Sequence, residues 1–134
     1  IPAMIRKFHE AKSLNKPNVT IWGTGTPKRE FLYADDLANA CVFLMQNYSE
    51  YEHVNIGTGI DVTIKELAET VKKVTGYNGE IIFDITKPDG TPRKLLDVSK
   101  LNKLGWEYSI NLEKGLNITY AAFQKEINDG TLRD

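Results

Sequence analysis

The sequence predicts an α/β fold built from short strands and amphipathic helices. Two observations support this prediction. Segments with apolar residues at helical spacing alternate with short β-branched or aromatic runs along all 134 residues, and clusters of turn residues separate the two kinds of segment. The composition, 41% hydrophobic and 26% charged, is typical of a folded domain. One core is expected, because a chain of this length buries about two thirds of its unfolded surface.

The first half of the chain contains two predicted helices and two predicted strands. Residues 1–14 carry a single apolar stripe and predict the first helix, and strands are predicted over 19–22 and 30–33. Asp35 or Asp36 is predicted to cap the second helix, because an acidic residue suits a helix start. That helix is predicted to bury one face, formed by Leu37, Ala40, Cys41, Leu44, Met45 and Tyr48.

The second half begins with the clearest local signal in the sequence. Thr63 and Glu66 have the spacing of a capping box at the start of a helix, and Gly76 is placed to end that helix. The other predicted elements are strands over 53–56 and 80–84, a loop over 86–93, and helices over 99–104 and 112–127.

Charge, hydropathy and cysteine content exclude several classes of function. With 17 Lys and Arg against 18 Asp and Glu, the chain lacks the basic excess of a nucleic-acid binder. No apolar run approaches the roughly 20 residues of a membrane span. The single cysteine, Cys41, cannot form an internal disulfide, which favours a reducing, cytoplasmic setting, and its place on the apolar stripe predicts burial.

Motif searches find no catalytic, cofactor-binding or metal-binding residues in the chain. The two Gly-Thr-Gly pieces, 23–25 and 57–59, lack the third glycine of a dinucleotide fingerprint and are better interpreted as ordinary turns. No Tyr-x-x-x-Lys motif is present, although a short-chain reductase would need one for proton transfer. His9 and His53 lie too far from other ligand types to predict a metal site.

Three features have the chemistry to bind an anionic ligand. The segment 87–94 concentrates cations, one carboxylate and two stiffening prolines, and suits a ligand-binding loop as well as it suits a solvated turn. Arg29 precedes an apolar run, where its planar guanidinium suits a diphosphate. Trp22 could stack on a base or a ribose, but composition alone slightly favours core packing for it.

The same residues resemble a known family. The runs 22–37, 55–59 and 87–100, which read WGTGTPKREFLYADDL, NIGTG and KPDGTPRKLLDVSK, closely resemble the GDP-L-fucose synthase family of extended short-chain dehydrogenases/reductases. The resemblance extends from Ile1 through Phe123 and is to the C-terminal part of the family's chain. It implies that residues 1–134 form the small substrate-binding C-terminal domain, without the N-terminal Rossmann domain. The start at Ile1, inside an apolar pattern, also suggests a fragment.

The resemblance implies an activity for the intact enzyme. Members convert GDP-4-keto-6-deoxy-mannose to GDP-L-fucose by epimerising carbons 3 and 5 and reducing the 4-keto group with NADPH. The NADP(H) site and the catalytic residues of the family lie in the N-terminal part, so the present chain alone is expected to be inactive. Two alternatives remain: the substrate domain of a related GDP-6-deoxy-sugar epimerase/reductase, such as one acting on a heptose, and a non-catalytic nucleotide-sugar binding module.

Five residues match family positions that contact the GDP-sugar. The resemblance implies that Lys7 and Arg29 hold the diphosphate and that Trp22 packs near the nucleoside. Asp89 would accept hydrogen bonds from the ribose or guanine, and Lys94 would close over the ligand.

Family architecture also implies that the apolar stripe over 37–48 packs on a partner outside this chain. The isolated chain is therefore expected to self-associate as a homodimer or swapped assembly.

Overall fold

The computed structural model describes residues 1–132 and confirms the α/β fold. Five helices and five strands lie within these residues, and none of the helices combines the length and apolar character needed to cross a membrane. In chain order the elements are α1 (Pro2–Ser13), β1 (Asn18–Trp22), β2 (Lys28–Glu30), α2 (Ala34–Asn47), β3 (Asp61–Thr63), α3 (Ile64–Thr75), β4 (Glu80–Asp84), β5 (Arg93–Lys94), α4 (Ser99–Lys103) and α5 (Leu112–Asn128).

The strands form two small sheets. β1 and β4 pair in parallel, with Trp22 opposite Asp84. β2 is the central strand of the other sheet, antiparallel to β3 and parallel to β5. Because parallel strands end at the same edge of a sheet, the segments that follow β1 and β4 leave that edge side by side. This arrangement places the first Gly-Thr-Gly turn next to the 85–92 segment.

The main hydrophobic cluster lies between β1 and the helices α1, α3 and α5. α3 begins with the predicted capping box, in which Thr63 and Glu66 each accept from the other's backbone N–H. It ends at Gly76, whose φ of 66° is the left-handed conformation expected of a C-terminal glycine. The buried members of the cluster are Ile5, Phe8, Ala11, Val19, Ile21, Leu67, Ala68, Val71, Tyr77, Leu116 and Tyr120.

A second, smaller cluster holds α2 and α4, so the expectation of a single core is wrong for the described residues. Ala40, Leu101 and Trp106 are its buried members, and the Trp106 indole donates to Asn39 Oδ1 over 2.8 Å. Half-buried apolar residues from α2 and from the loops surround them: Leu32, Phe43, Leu44, Val54, Ile56 and Tyr108.

Two of the predicted strands are misplaced. The strand predicted over 30–33 lies at Lys28–Glu30, where β3 and β5 offer hydrogen-bonding partners on both sides. No strand forms over 53–56. Val54 and Ile56 pack against the second cluster. This packing explains why the two residues are apolar although the segment pairs with no strand. The loop predicted over 86–93 ends one residue earlier than predicted, because Arg93 is the first residue of β5.

The predicted cap of α2 is also wrong. The helix begins at Ala34 after Tyr33, which makes no side-chain capping hydrogen bond. Asp35 and Asp36 both lie inside the first turn, where their negative charge still complements the helix dipole. A cap residue has to precede the helix, so the pair sits too late in the sequence to cap it.

Asp36 instead joins α2 to the segment before α5. Its carboxylate is buried and accepts from the Ser109 amide (3.1 Å), the Ser109 hydroxyl (2.7 Å) and the Ile110 amide (2.9 Å). Burial alone would raise the pKa of Asp36, but these hydrogen bonds, with the nearby charge of Lys114, hold the pKa below its usual value.

The apolar stripe of α2 is largely open to solvent, contrary to the predicted burial. Cys41 is exposed, and Leu37, Val42 and Met45 have exposed fractions of 44%, 53% and 84%. α2 is apolar around most of its circumference, and only the side that carries Ala40 packs against the second cluster. A helix of this kind is normally covered on both sides.

We predict that Asp36→Asn lowers the free energy of unfolding by about 2 kcal/mol near neutral pH, because asparagine has one acceptor oxygen for three donors. Because the pKa of Asp36 is lowered in the folded state, the stabilisation by its carboxylate is fully present above the ordinary pKa of 3.8. This stabilisation is lost as pH falls through the folded-state pKa. Urea unfolding should show a smaller gap in free energy of unfolding between the wild type and Asp36→Asn at about pH 3 than at about pH 7. Asp35→Asn is the matched control, and a gap that does not change with pH would contradict the prediction.

Candidate functional site

The first Gly-Thr-Gly turn, 23–25, holds a carboxylate from a distant part of the chain. The Thr24 amide donates to Asp89 Oδ1 over 2.8 Å, and the Thr24 hydroxyl donates to Oδ2 over 2.6 Å. Gly23 has a φ of +83°, and a Cβ there would lie 2.2 Å from Asp89 Oδ1. Glycine at position 23 therefore allows both the turn and the approach of Asp89.

The second Gly-Thr-Gly turn, 57–59, also binds a carboxylate from a distant part of the chain, that of Glu30. Glu30 Oε1 accepts from the Thr58 and Gly59 amides, each over 2.6 Å, and Oε2 accepts from the Leu96 amide over 3.0 Å. A Cβ on Gly57 would lie 2.4 Å from Oε1. Glu30 thus joins this turn to the segment that follows β5, a role that the sequence analysis did not predict.

Neither turn fits the pyrophosphate of a dinucleotide. A phosphate-binding turn needs backbone N–H groups that are free to meet an anion. Here the amides of Thr24, Thr58 and Gly59 already donate to carboxylates of the same chain, whose negative charge would repel a phosphate. The described turns therefore provide no cradle for NADP(H).

The 85–92 segment crosses the carboxyl end of β1 and contacts Trp22. Lys87 Nζ lies 5.7 Å from the centroid of the Trp22 ring, within the range of a cation–π interaction. Trp22 is 69% exposed, so the alternative that it packs in the core is wrong. Its ring therefore presents a stacking surface beside the anchored Asp89.

The same segment reaches Arg29 on the other sheet. A Cβ built on Gly90 would lie 3.1 Å from Arg29 Nη2, so the guanidinium lies directly against the backbone next to Asp89. Arg29 Nη1 also donates to the Lys28 carbonyl over 2.6 Å. One short segment therefore brings Trp22, Arg29 and Asp89 into one region, although they come from three parts of the sequence.

Lys94 shares a face of the sheet with Arg29. The two residues are opposite each other in the β2–β5 ladder, and opposed residues project to the same face. Arg93 projects to the other face and forms an ion pair with Asp61, where its hydrogen bond holds the pKa of Asp61 below the usual value. No carboxylate partner for Arg29 or Lys94 is described within residues 1–132, so both cations can serve an anionic ligand.

Lys7 lies beside β1 rather than among the other four candidates. Its ammonium donates to the Thr20 carbonyl over 2.6 Å, two residues before Trp22. Among the hydrogen bonds and ion pairs described for residues 1–132, none joins Lys7 to Arg29 or Asp89. The structure therefore brings Trp22, Arg29, Asp89 and Lys94 together and leaves Lys7 at the margin of this region.

Three residues of the region went unassigned in the sequence analysis. Lys87 was counted only among the cations of its loop, and Thr24 and Glu30 had no assigned role. The usable signal for Thr24 and Glu30 is that a Gly-x-Gly turn exposes backbone N–H groups and so calls for an acceptor. The sequence does not show which carboxylate supplies it.

Comparisons with known proteins agree with this fold. Residues 1–57 match the NAD dependent epimerase/dehydratase family. The chain is 58% identical over 127 residues to a putative GDP-L-fucose synthase 2 of Arabidopsis thaliana, covering 95% of this chain and 39% of that protein. It is 52% identical over 132 residues to the GDP-L-fucose synthase of Escherichia coli (strain K12), covering 92% of this chain and 41% of that protein.

A solved structure shows the same fold. MlghC, described as a GDP-mannoheptose C4 reductase from Campylobacter jejuni with NADP bound, is 41% identical with a TM-score of 0.81, and the match covers 92% of this chain and 44% of that chain. The chain thus spans about two fifths of the length of the GDP-L-fucose synthases that it matches. The resemblance to the GDP-L-fucose synthase family is confirmed, as is the α/β fold of an epimerase/dehydratase.

Proposed function

We propose that this chain is the GDP-sugar-binding part of a GDP-L-fucose synthase, and that residues 1–134 act as its C-terminal substrate-binding domain. The intact enzyme would convert GDP-4-keto-6-deoxy-mannose to GDP-L-fucose by 3,5-epimerisation and NADPH-dependent reduction of the 4-keto group. The observation that carries the proposal is the 85–92 segment, which joins an exposed Trp22, an anchored Asp89 and the Arg29 guanidinium.

The two cations of one sheet face would hold the diphosphate. The planar fork of Arg29 can donate two parallel hydrogen bonds to phosphate oxygens, and Lys94 adds a flexible charge beside it. Lys7 would contribute by exchanging the Thr20 carbonyl for a phosphate oxygen, since its side chain is long and its ammonium is exposed. We therefore expect Lys7 to contribute less than Arg29 to diphosphate binding.

Trp22 and Asp89 would hold the nucleoside. The exposed Trp22 ring offers a stacking face, from which a bound base would displace the Lys87 ammonium toward the phosphates. Each oxygen of Asp89 accepts one hydrogen bond from Thr24 and keeps a second lone pair. Asp89 can therefore accept from a ribose hydroxyl or guanine N–H while it remains held by the turn.

The contribution of these residues to catalysis would be positioning. Anchoring the nucleotide end of the substrate fixes the sugar against a nicotinamide held elsewhere, and such proximity is worth several kcal/mol of barrier. The epimerisation and hydride-transfer residues, and the NADP(H) site, would lie outside the 134 residues. An exposed free thiol at Cys41 suits a reducing compartment, so we place the enzyme in the cytoplasm.

A second candidate is the corresponding domain of an enzyme for another GDP-sugar. The similarity to the C. jejuni heptose reductase favours it, and the residues assigned above address the nucleotide and diphosphate, which both substrates share. Product analysis with the intact enzyme separates the two candidates.

We also propose that the isolated chain forms homodimers through the exposed side of α2. Leu37, Cys41, Val42 and Met45 lie at helical spacing and form one apolar surface on this side. Burying such a surface against a second copy removes apolar area from water, which is the main driving force of association.

We expect calorimetric titration to show GDP binding to the chain, with UDP and NADPH binding at least tenfold more weakly. Arg29→Ala should weaken GDP binding by about 10- to 100-fold, because it removes charge-assisted hydrogen bonds to the diphosphate. Arg93→Ala is the matched control, since it removes the same charge from the opposite face of the sheet. Equal losses in the two variants, or NADPH binding as tight as that of GDP, would contradict the proposed site.

We expect sedimentation analysis to show a dimer of the chain at micromolar concentration. Met45→Lys should shift the chain to monomer, because it places a charge on the apolar surface of α2 at a residue that is 84% exposed. Leu14→Lys changes an exposed apolar residue away from this surface and should leave the dimer intact. A monomeric wild type, or equal dissociation in both variants, would exclude α2 as the dimer interface.

A further inference from the structure

We propose that Thr24 is a positioning residue of the candidate site. Its amide and hydroxyl hold Asp89, and through Asp89 they keep the 85–92 segment across the end of β1. The inference rests on the proposed function, because the site that Thr24 organises is the nucleotide-binding one. Thr24 itself would act without touching the ligand.

The direction of the hydrogen bonds follows from donor counting. Thr24 Oγ1 lies 2.6 Å from Asp89 Oδ2 and 2.7 Å from Thr26 Oγ1, and it accepts from the Thr26 amide over 3.2 Å. A carboxylate only accepts, so the single hydroxyl hydrogen of Thr24 goes to Asp89. The Thr26 hydroxyl must then donate to Thr24. The result is a directed chain from Thr26 through Thr24 to Asp89.

The turn that carries Thr24 is fixed without any help from Asp89. The Gly23 amide donates to the Asp84 carbonyl at the end of β4, and the Gly25 carbonyl accepts from the Lys65 amide in α3, each over 2.9 Å. Gly25 has a φ of +77°, and a Cβ there would lie 2.4 Å from the Phe83 ring. Thr24 is therefore presented from a rigid support.

The 85–92 segment depends on that support. At its start, Thr86 and Lys87 donate to Asp84, and at its end the Pro92 carbonyl accepts from the Lys28 amide over 2.8 Å. For residues 88–91, the described hydrogen bonds to the rest of the chain are the two that Asp89 accepts from Thr24. Removing both would leave residues 88–91 with no described hydrogen bond to the rest of the chain.

Loss of the Thr24–Asp89 hydrogen bonds would affect ligand binding through three contacts. Asp89 would no longer face the nucleoside, Gly90 would leave Arg29, and the Lys87–Trp22 contact would lose its support. Ligand binding would then have to order the segment, and the entropy of ordering reduces affinity. A change at Thr24 should thus weaken binding and increase the mobility of residues 89–91 together.

The test combines two measurements on the 134-residue chain, with Thr24→Val, Thr24→Ser and Asp89→Ala. Backbone NMR relaxation gives order parameters for the Gly90 and Thr91 amides, and calorimetry gives the GDP affinity. Thr24→Val removes the hydroxyl hydrogen bond to Oδ2 and keeps the amide hydrogen bond to Oδ1. We expect it to lower the order parameters below the rigid-backbone value of about 0.85 and to weaken GDP binding by up to about tenfold. Thr24→Ser, which keeps the hydroxyl, should restore both quantities. Thr70→Val, which removes a hydroxyl bonded within α3, is the matched control and should change neither.

The double variant Thr24→Val/Asp89→Ala tests whether Thr24 acts through Asp89. It should bind GDP no more weakly than Asp89→Ala, because Asp89→Ala already removes the one hydrogen bond that Thr24→Val removes. Asp89→Ala leaves the turn intact and removes both hydrogen bonds, so it should raise mobility at Gly90 at least as much as Thr24→Val does. The mobility result therefore does not depend on the folding of one variant.

The outcomes separate this inference from the proposed function. Unchanged order parameters in Thr24→Val, failure of Thr24→Ser to restore them, or additive losses in the double variant would overturn the positioning role even if the chain binds GDP. If the wild-type chain binds no GDP but Thr24→Val and Asp89→Ala mobilise Gly90 and Thr91, the Thr24–Asp89 contact stands as a structural tether. In that case the proposed function fails, and with it the role of Thr24 in a nucleotide site.

Discussion

The fold depends on a simple requirement: backbone N–H groups exposed by a glycine turn need an acceptor. Both Gly-Thr-Gly turns meet it with a carboxylate of the same chain, Asp89 for the first turn and Glu30 for the second. Short strands of two to five residues supply few ladder hydrogen bonds, so these carboxylates connect loops that the sheets alone would leave unconnected. The candidate site lies on the segment that one of these contacts holds in place.

Local signals predicted the fold well where neighbouring residues decide the structure. The Thr63–Glu66 capping box and Gly76 act within one helix, and both were predicted correctly. Partners distant in sequence were not predictable: Asp36 binds residues 109 and 110, and Asp89 binds Thr24. The same limit explains the strand predicted over 30–33, since the bounds of β2 follow from its pairing with β3 and β5.

The candidate site was likewise predictable in part from local sequence, while the rest depended on contacts between distant residues. The charge of Arg29 and of the 87–94 segment was evident from the sequence, whereas their meeting through Gly90 required the fold. The groups brought together are a stacking surface, two cations and a carboxylate, and the proposed nucleoside diphosphate site rests on them. The amides of Thr24, Thr58 and Gly59 already donate to carboxylates of the same chain. The exposed apolar side of α2 is the surface on which the proposed self-association of the chain rests.

The most direct test is an NMR titration of the isotopically labelled chain with GDP. If the nucleotide site is assembled by the 85–92 segment, the largest amide shift changes should fall on residues 22–24, 29 and 87–94, with the Trp22 indole among them. Changes centred instead on the apolar cavity beside Phe31 and Gly115, with residues 87–94 unaffected, would contradict a site built on the Thr24–Asp89 contact.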